Sequence, residues 1–264
     1  MTDYNSIKEK ARQMWSTFAA FETVTGLAAP ELVKFSGLQK GDRVLDVGCG
    51  TGVVAITAAQ QGAKAFGSDL TPELIDRAKE NSKISGFDIN FIVSDVEELP
   101  YDDESFDFVL SQFGHMFAPR PNVAVREMMR VLKTGGVIAF STWPPELLTG
   151  RLFALTAKYG PPLPEDLPSP VEWGDVEEIK KRIGDLAKHI SFHRAQYGNP
   201  AMSPAHMRIL LETHIGPIAA AIKYLEDSPN KQSLFRSEID VLLGEYFENN
   251  TVIQSYLMTR GIKR

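Results

Sequence analysis

Residues 44–52 read VLDVGCGTG. An apolar run delivers Asp46, and three glycines (Gly48, Gly50 and Gly52) then alternate with Cys49 and Thr51. Glycines let a backbone turn sharply and approach a ligand with no Cβ in the way. A helix starting just after such a loop offers free N–H groups to polar or anionic atoms. The loop could serve a dinucleotide, a phosphate, or a ligand with no phosphate, and spacing separates these. The dinucleotide pattern G-x-G-x-x-G needs a glycine where Val53 stands. A P-loop needs Gly-Lys-Ser/Thr at its end, and no lysine is near. What is left is D-x-G-x-G-x-G followed by two further acids, Asp69 in GSDLTPELIDRAK and Asp95 in VSDVEELP. A carboxylate at the end of the second strand can accept from both hydroxyls of a ribose. One at the end of the third can accept from the exocyclic amine of adenine, while the backbone N–H of Val96 meets a ring nitrogen.

Other reactive side chains are sparse. Cys49 is the lone cysteine, which excludes an intramolecular disulfide and a multi-cysteine zinc site. A nucleophilic cysteine comes with a base or further thiols, so Cys49 reads as a small residue fitting a crowded loop. His189, His193, His206 and His214 show no metal-ligand spacing, and no metal is assigned. In SQFGHMF (111–117), His115 is the best placed titratable group, because its imidazole could act near pH 7. The alternative is a wall residue that shapes a pocket. Asp69 as a helix N-terminal charge, Asp95 as a turn former and Trp15 as core packing are likewise the structural alternatives.

The elements that must position these residues follow from periodicity. Ile7, Ala11, Met14, Trp15, Phe18 and Phe21 recur at three- and four-residue steps, so residues 3–35 read as helical, with a second short helix from Pro30 to Gly37. RVLDVG, AKAFGSD, INFIVSD, SFDFVLSQ and VIAFSTW read as strands. Helices alternate with them: VVAITAAQQG; a helix capped by Thr71 and running to Gly86; and NVAVREMMRVL, closed by Gly135 and Gly136. Such alternation implies right-handed βαβ crossovers and a parallel sheet covered on both faces. After Trp143 prolines cluster, and helical stretches are interleaved with HISFHRAQY and a last strand, TVIQSYLMTRGIK. The expected fold is α/β: a Rossmann-like, doubly wound, mostly parallel seven-stranded sheet with helical lid insertions. Residues 1–36 form an N-terminal helical cap, 37–143 the core, and 144–264 the lid insertions together with the last elements of the same domain.

Composition narrows the partners. The 264 residues carry 28 Lys and Arg against 34 Asp and Glu, a net charge of −6. That balance gives no electrostatic footprint for nucleic acid. KEK at 8–10 and KKR at 180–182 read as solvated helix faces. No window approaches eighteen uninterrupted apolar residues, and MTDYNSIKEKARQMW has no apolar leader core, so a cytoplasmic protein without stable membrane insertion is expected.

VLDVGCGTG, GSDLTPELIDRAK, VSDVEELPYDDESFDFVLS and EMMRVLKTGGVIAF, in this order and at βα spacing, resemble the motif series of class I S-adenosylmethionine-dependent methyltransferases. More narrowly, they resemble the subgroup that includes ubiquinone and menaquinone biosynthesis methyltransferases. The resemblance spans roughly residues 40–143. It implies S-adenosylmethionine as cofactor, with Asp46 near its ammonium, Gly48, Cys49 and Gly50 under its methionine portion and ribose, and Asp69 on the ribose hydroxyls. Leu70 then packs on the adenine, Asp95 and Val96 read its edge, Ser111 lies near the methionine moiety, and Trp15 covers the amino-acid end. Families that methylate adenine or glutamine amides carry N/D-P-P-Y/F after the fourth strand. SQFGHMF departs from it, which argues against those substrates. The Phe-, Leu-, Met- and Ile-rich insertions suggest a small, partly hydrophobic acceptor. Transfer of a different group from the same cofactor, or cofactor binding without turnover, are the alternatives. Acceptor atom and oligomeric state are not encoded in any motif.

Overall fold

A computed structural model describes residues 3–162, 164 and 166–264. Met1 and Thr2 of the N-terminal stretch, and Leu163 and Glu165 of the proline-rich segment, lie outside the described residues. The sheet is built from β1 (Arg43–Val47), β2 (Lys64–Asp69), β3 (Asn90–Val93), β4 (Phe106–Gln112), β5 (Leu132–Thr142), β6 (Ala187–Pro200), β7 (Phe247–Glu248) and β8 (Thr251–Lys263). Its order is β3-β2-β1-β4-β5-β8-β6, with β7 hairpinned onto β8. Pairings from β3 through β5 are parallel, and those involving β8 are antiparallel. The sheet therefore has eight strands rather than seven, because the chain just before β8 folds back as the two-residue β7.

The chain runs outward from β1 to β3, then crosses back to β4 beside β1. The carboxyl ends of β1 and β4 thus form the switch point where open α/β sheets leave a crevice. Buried Val44, Leu45, Val47, Val109 and Leu110 make these two strands apolar on both faces, as a covered parallel sheet requires. Helices α1 (Tyr4–Trp15), α2 (Glu22–Thr25), α3 (Ala29–Ser36), α4 (Val53–Gln60), α5 (Pro72–Ile84) and α6 (Pro121–Val131) belong to this half. The second half adds α7 (Leu148–Tyr159), α8 (Val176–Ile183), α9 (Pro204–His214), α10 (Gly216–Tyr224) and α11 (Pro229–Gly244). A second apolar cluster, including Leu152, Met207, Ile218, Phe235 and Leu242, holds α7 and α9–α11 together.

Local departures from the expected elements have physical causes. The N-terminal stretch is not one helix. α1 stops at Trp15, a 3₁₀ turn spans Phe18–Phe21, and α3 ends where Gly37 takes φ +80°. Stopping there turns Trp15, Phe18 and Phe21 toward the crevice. Thr71 stands at the start of α5, but its hydroxyl makes no cap bond; Asp69 Oδ1 takes the Thr71 N–H at 2.8 Å instead. Gly135 and Gly136 do not close α6. They lie inside β5, whose register against β4 jumps between the Phe106 and Phe108 pairings, so residues 133–136 bulge from the ladder. Pro217 does interrupt the long helical stretch, separating α9 from α10.

Candidate functional site

The crevice holds a cavity of about 250 Å³. Asp46, next to last in β1, is buried. Its Oδ2 accepts the Ala55 N–H at 3.1 Å, while Oδ1 is buried with no partner. Burial, with Asp69 nearby, pushes the Asp46 carboxyl well above the usual carboxylate range, against the Ala55 N–H. Gly48, Gly50 and Gly52 follow with φ of +62°, +54° and +84°. A Cβ on Gly50 would meet nothing within 4 Å, so this stretch of backbone is an open cradle.

Gly48 is there for a different reason. Across the crevice it faces Gly114, on which a Cβ would lie 2.3 Å from the Gly48 carbonyl oxygen. The loops after β1 and β4 thus touch backbone to backbone. Sequence reasoning named Gly48 and passed over Gly114; the only signal was a glycine two residues past the fourth strand. Just before it, Phe113 has φ +65°, a costly value for an aromatic residue.

Asp69 ends β2. Its two oxygens accept the N–H groups of Gly50 (2.9 Å) and Thr71 (2.8 Å), which leaves each oxygen a lone pair for a further donor. Burial raises its pKa, and those backbone donors oppose the rise. Asp95 Oδ1 accepts the Glu97 N–H at 2.9 Å, and Oδ2 pairs with Lys8 Nζ at 2.6 Å. Lys8 also pairs with Glu97, whose side chain is fully buried and accepts from Arg120 N (2.7 Å) and Nε (2.8 Å). Glu97 was not anticipated. It ties α1, the loop after β3 and the start of α6 together at the rim of the crevice. Leu70 and Val96 line the cavity, and Arg12 on α1 holds the Leu70 carbonyl at 3.2 Å.

Cys49 is buried, and burial together with the Asp46 and Asp69 charges pushes its thiol well above its usual range. It stays protonated at neutral pH and is no nucleophile. Trp15 lines the cavity and packs on Phe117 at 4.7 Å between ring centroids. Ser111 lies within β4 but is not part of the cavity wall, whereas the resemblance puts it near the methionine moiety. Its hydroxyl donates to the Val47 carbonyl at 2.6 Å and accepts the His115 N–H at 3.1 Å, riveting the ends of β1 and β4. His115 sits against the rings of Phe140 and Trp173, both at 4.7 Å, and neither ring nitrogen has a partner. Burial, with Arg182 nearby, pushes its pKa down to about 3.

The same cavity is also lined by Phe113, which stacks on Trp143 at 3.8 Å, and its part on the side of the later elements is a chamber. Residues of α7, β6, α9 and α10 wall it, among them Phe153, Tyr197, Met207 and Ile218. Among the described residues, no cluster of three or more His, Cys, Asp or Glu could hold a metal ion, and no helix is long and apolar enough to cross a membrane.

The methyltransferase-domain family model matches residues 45–140. A Mycobacterium tuberculosis protein of undescribed function is 35% identical over 271 residues, covering 98% of each chain. The demethylmenaquinone methyltransferase of Staphylococcus aureus is 35% identical over 137 residues, 50% of this chain and 56% of that one. The chain belongs to the class I S-adenosylmethionine-dependent methyltransferases. Among solved structures, a putative methyltransferase from Bacillus halodurans shares the fold with TM-score 0.61 at 17% identity, covering 89% of this methyltransferase and 98% of that chain. A Haemonchus contortus phosphoethanolamine N-methyltransferase, solved with S-adenosylhomocysteine, does so with TM-score 0.60 at 18% identity, covering 100% and 60%. S-adenosylmethionine is the cofactor. The unpartnered Asp46 Oδ1, the spare lone pairs of Asp69 and the open Gly50 cradle fit its ammonium, ribose and backbone-hugging chain.

Asp46 and His115 give the methyltransferase opposite pH signatures. Asp46 binds a proton more tightly folded than unfolded, so the stability linked to it is present at acid pH and lost as pH rises through its raised pKa. At neutral pH its charge costs stability. Asp46→Asn keeps the Ala55 contact and is expected to raise unfolding stability at pH 7 by on the order of 1–2 kcal/mol. The same change is expected to weaken S-adenosylhomocysteine binding about tenfold or more by removing a charged acceptor. Denaturant titration and calorimetry check the two together, and tighter binding in the variant would contradict the assignment. His115 has the reverse sign. The unfolded chain takes up a proton below pH 6.5 that the folded one refuses until about pH 3. Its share of stability therefore falls as pH drops through that window, by up to about 1.4 kcal/mol per pH unit. His115→Leu is expected to flatten stability between pH 6.5 and 4, measured by urea titration; parallel wild-type and variant curves would contradict this.

Proposed function

We propose that this methyltransferase transfers the methyl group to a small, neutral, largely apolar acceptor seated in this chamber. The observation that carries the reading is the distribution of charge. Lys8, Asp46, Asp69 and Asp95, the charged residues on the cavity wall, all stand at the glycine-loop end, and the described chamber wall has none. A carboxylate or phosphate placed there would lose its hydration with nothing to pair it.

In this reading Asp69 receives the ribose hydroxyls on its spare lone pairs, and Asp46 faces the ammonium. Asp95 and Val96 read the adenine edge, Leu70 packs against its face, and Gly48, Cys49 and Gly50 pass beneath the chain. Trp15 and α1 lie over the site and keep water out. Bound there, S-adenosylmethionine supplies a methyl group already activated on a sulfonium, so positioning and dryness carry much of the rate. His115, pushed to about 3, is too weak a base to hold a proton near neutrality, and we assign it to the wall. Burial pushes Tyr197 far above its usual range, so it is no neutral-pH base either. Such a chamber suits an acceptor that is nucleophilic as it binds, or whose proton passes to water at the mouth of the cavity.

Incubation with methyl-labelled cofactor and two acceptor panels tests this. Label is expected in neutral phenols and quinols. Label confined to phosphorylated amines or carboxylates, with masses showing methyl addition, would overturn it.

A further inference from the structure

The chamber wall farthest from the glycine loop is laid by β6 and β8. Tyr197 is paired with Gln254 across these strands. Opposed residues share a face, as do residues two apart, so Asn199 and Tyr256 lie on that face too. Helix α7 covers it and brings Thr149. Three polar side chains on this apolar wall form one line. Asn199 Nδ2 donates to Gln254 Oε1 at 2.6 Å, and Gln254 Nε2 donates to Thr149 Oγ1 at 2.5 Å. All three line the cavity.

In this line the Asn199 amide points its nitrogen at Gln254. If Asn199 alone turned over, with Gln254 donating to Thr149 as it does here, its oxygen would meet Gln254 Oε1, acceptor against acceptor. Held as it is, Asn199 leaves Oδ1 buried with no partner, on a residue only 6% exposed. A buried amide oxygen without a donor is costly, and an apolar side chain at 199 would avoid the cost. We propose that Asn199 is the specificity-determining residue of the acceptor chamber, and that Oδ1 accepts a hydrogen bond from a neutral hydroxyl or N–H group on the methyl acceptor. Gln254 and Thr149 are positioning residues that hold the amide in this sense. The inference rests on the chamber being the acceptor site. It adds that an apolar body alone is not enough: the acceptor carries a donor group at the end that meets β6. An ionised carboxylate finds only another acceptor there.

The test uses the full-length protein loaded with S-adenosylhomocysteine and titrated with 2-naphthol, naphthalene and 2-naphthoate. The first two differ by one hydroxyl, and the third replaces it with a charge. Wild type is expected to bind 2-naphthol about five- to tenfold more tightly than naphthalene, and 2-naphthoate more weakly than either. In Asn199→Leu the naphthol-to-naphthalene ratio is expected to fall to near one while naphthalene still binds. Thr149→Val, a near-isosteric change that loosens Gln254, is expected to give an intermediate ratio and stands in if the first variant does not fold. A wild-type ratio near one, a ratio unchanged in the variants, preferred binding of 2-naphthoate, or no binding of any probe overturns the proposal. The labelling experiment reports separately on the acceptor class: label in neutral acceptors together with an unchanged naphthol ratio defeats this inference alone.

Discussion

Asp69→Ala is expected to weaken S-adenosylhomocysteine binding at least about 100-fold, because hydrogen bonds to a charged group contribute about 1.5–3 kcal/mol each and two would go at once. The loss has two sources. The spare lone pairs that face the ribose disappear, and so do the acceptors that hold the N–H groups of Gly50 and Thr71 at 2.9 and 2.8 Å. Those bonds fix the glycine loop and the start of α5 relative to each other, so alanine disorders the cradle as well as emptying it. Asp69→Asn separates the effects. It keeps one carbonyl oxygen for one of the two N–H groups, but turns an amide N–H₂ toward the other donor. It is expected to bind better than alanine and well below wild type. Calorimetric titration decides: affinity within about fivefold of wild type in Asp69→Ala would remove Asp69 from the cofactor site.

Gly114→Ala is expected to cost both stability and cofactor binding. The added Cβ would stand 2.3 Å from the Gly48 carbonyl oxygen and 2.7 Å from its Cα. Both are backbone atoms, so no side chain can swing aside, and the loops after β1 and β4 must part. Overpacking of this kind costs about 1–3 kcal/mol, a fall of about 3–10 °C in Tm for a chain of this length. Because Gly48 opens the cradle, S-adenosylhomocysteine affinity is expected to drop by more than tenfold. Gly244→Ala is the control. It sits exposed at the end of α11 with open space where its Cβ would go, and should leave Tm and affinity at or above wild type. Equal behaviour of the two variants by differential scanning fluorimetry would contradict the close approach.

The glycine loop, the strand-end acids and the βα alternation were legible because each obeys a local rule. Positive φ selects glycine at 48, 50 and 52, and apolar runs of strand length precede each acid. Contacts between segments distant in sequence were not legible. Gly114 matters only because Gly48 meets it, and Glu97 only because Lys8, 89 residues away, and Arg120 converge on it. Ser111 stays out of the cavity while its neighbour Gln112 lines it, because successive side chains of a strand point to opposite faces. The same limit hid the Asn199, Gln254 and Thr149 line. Its members come from two strands and a helix and are ordinary polar residues in the sequence. The two-residue β7 carries too little periodicity to be read at all.

The most direct measurement is a structure of the protein with S-adenosylhomocysteine bound. The ribose hydroxyls are expected on Asp69, the adenine edge at Asp95 and Val96, the ammonium at Asp46, and the sulfur facing the chamber. A ribose away from Asp69, or a sulfur turned from that chamber toward solvent, would contradict these assignments.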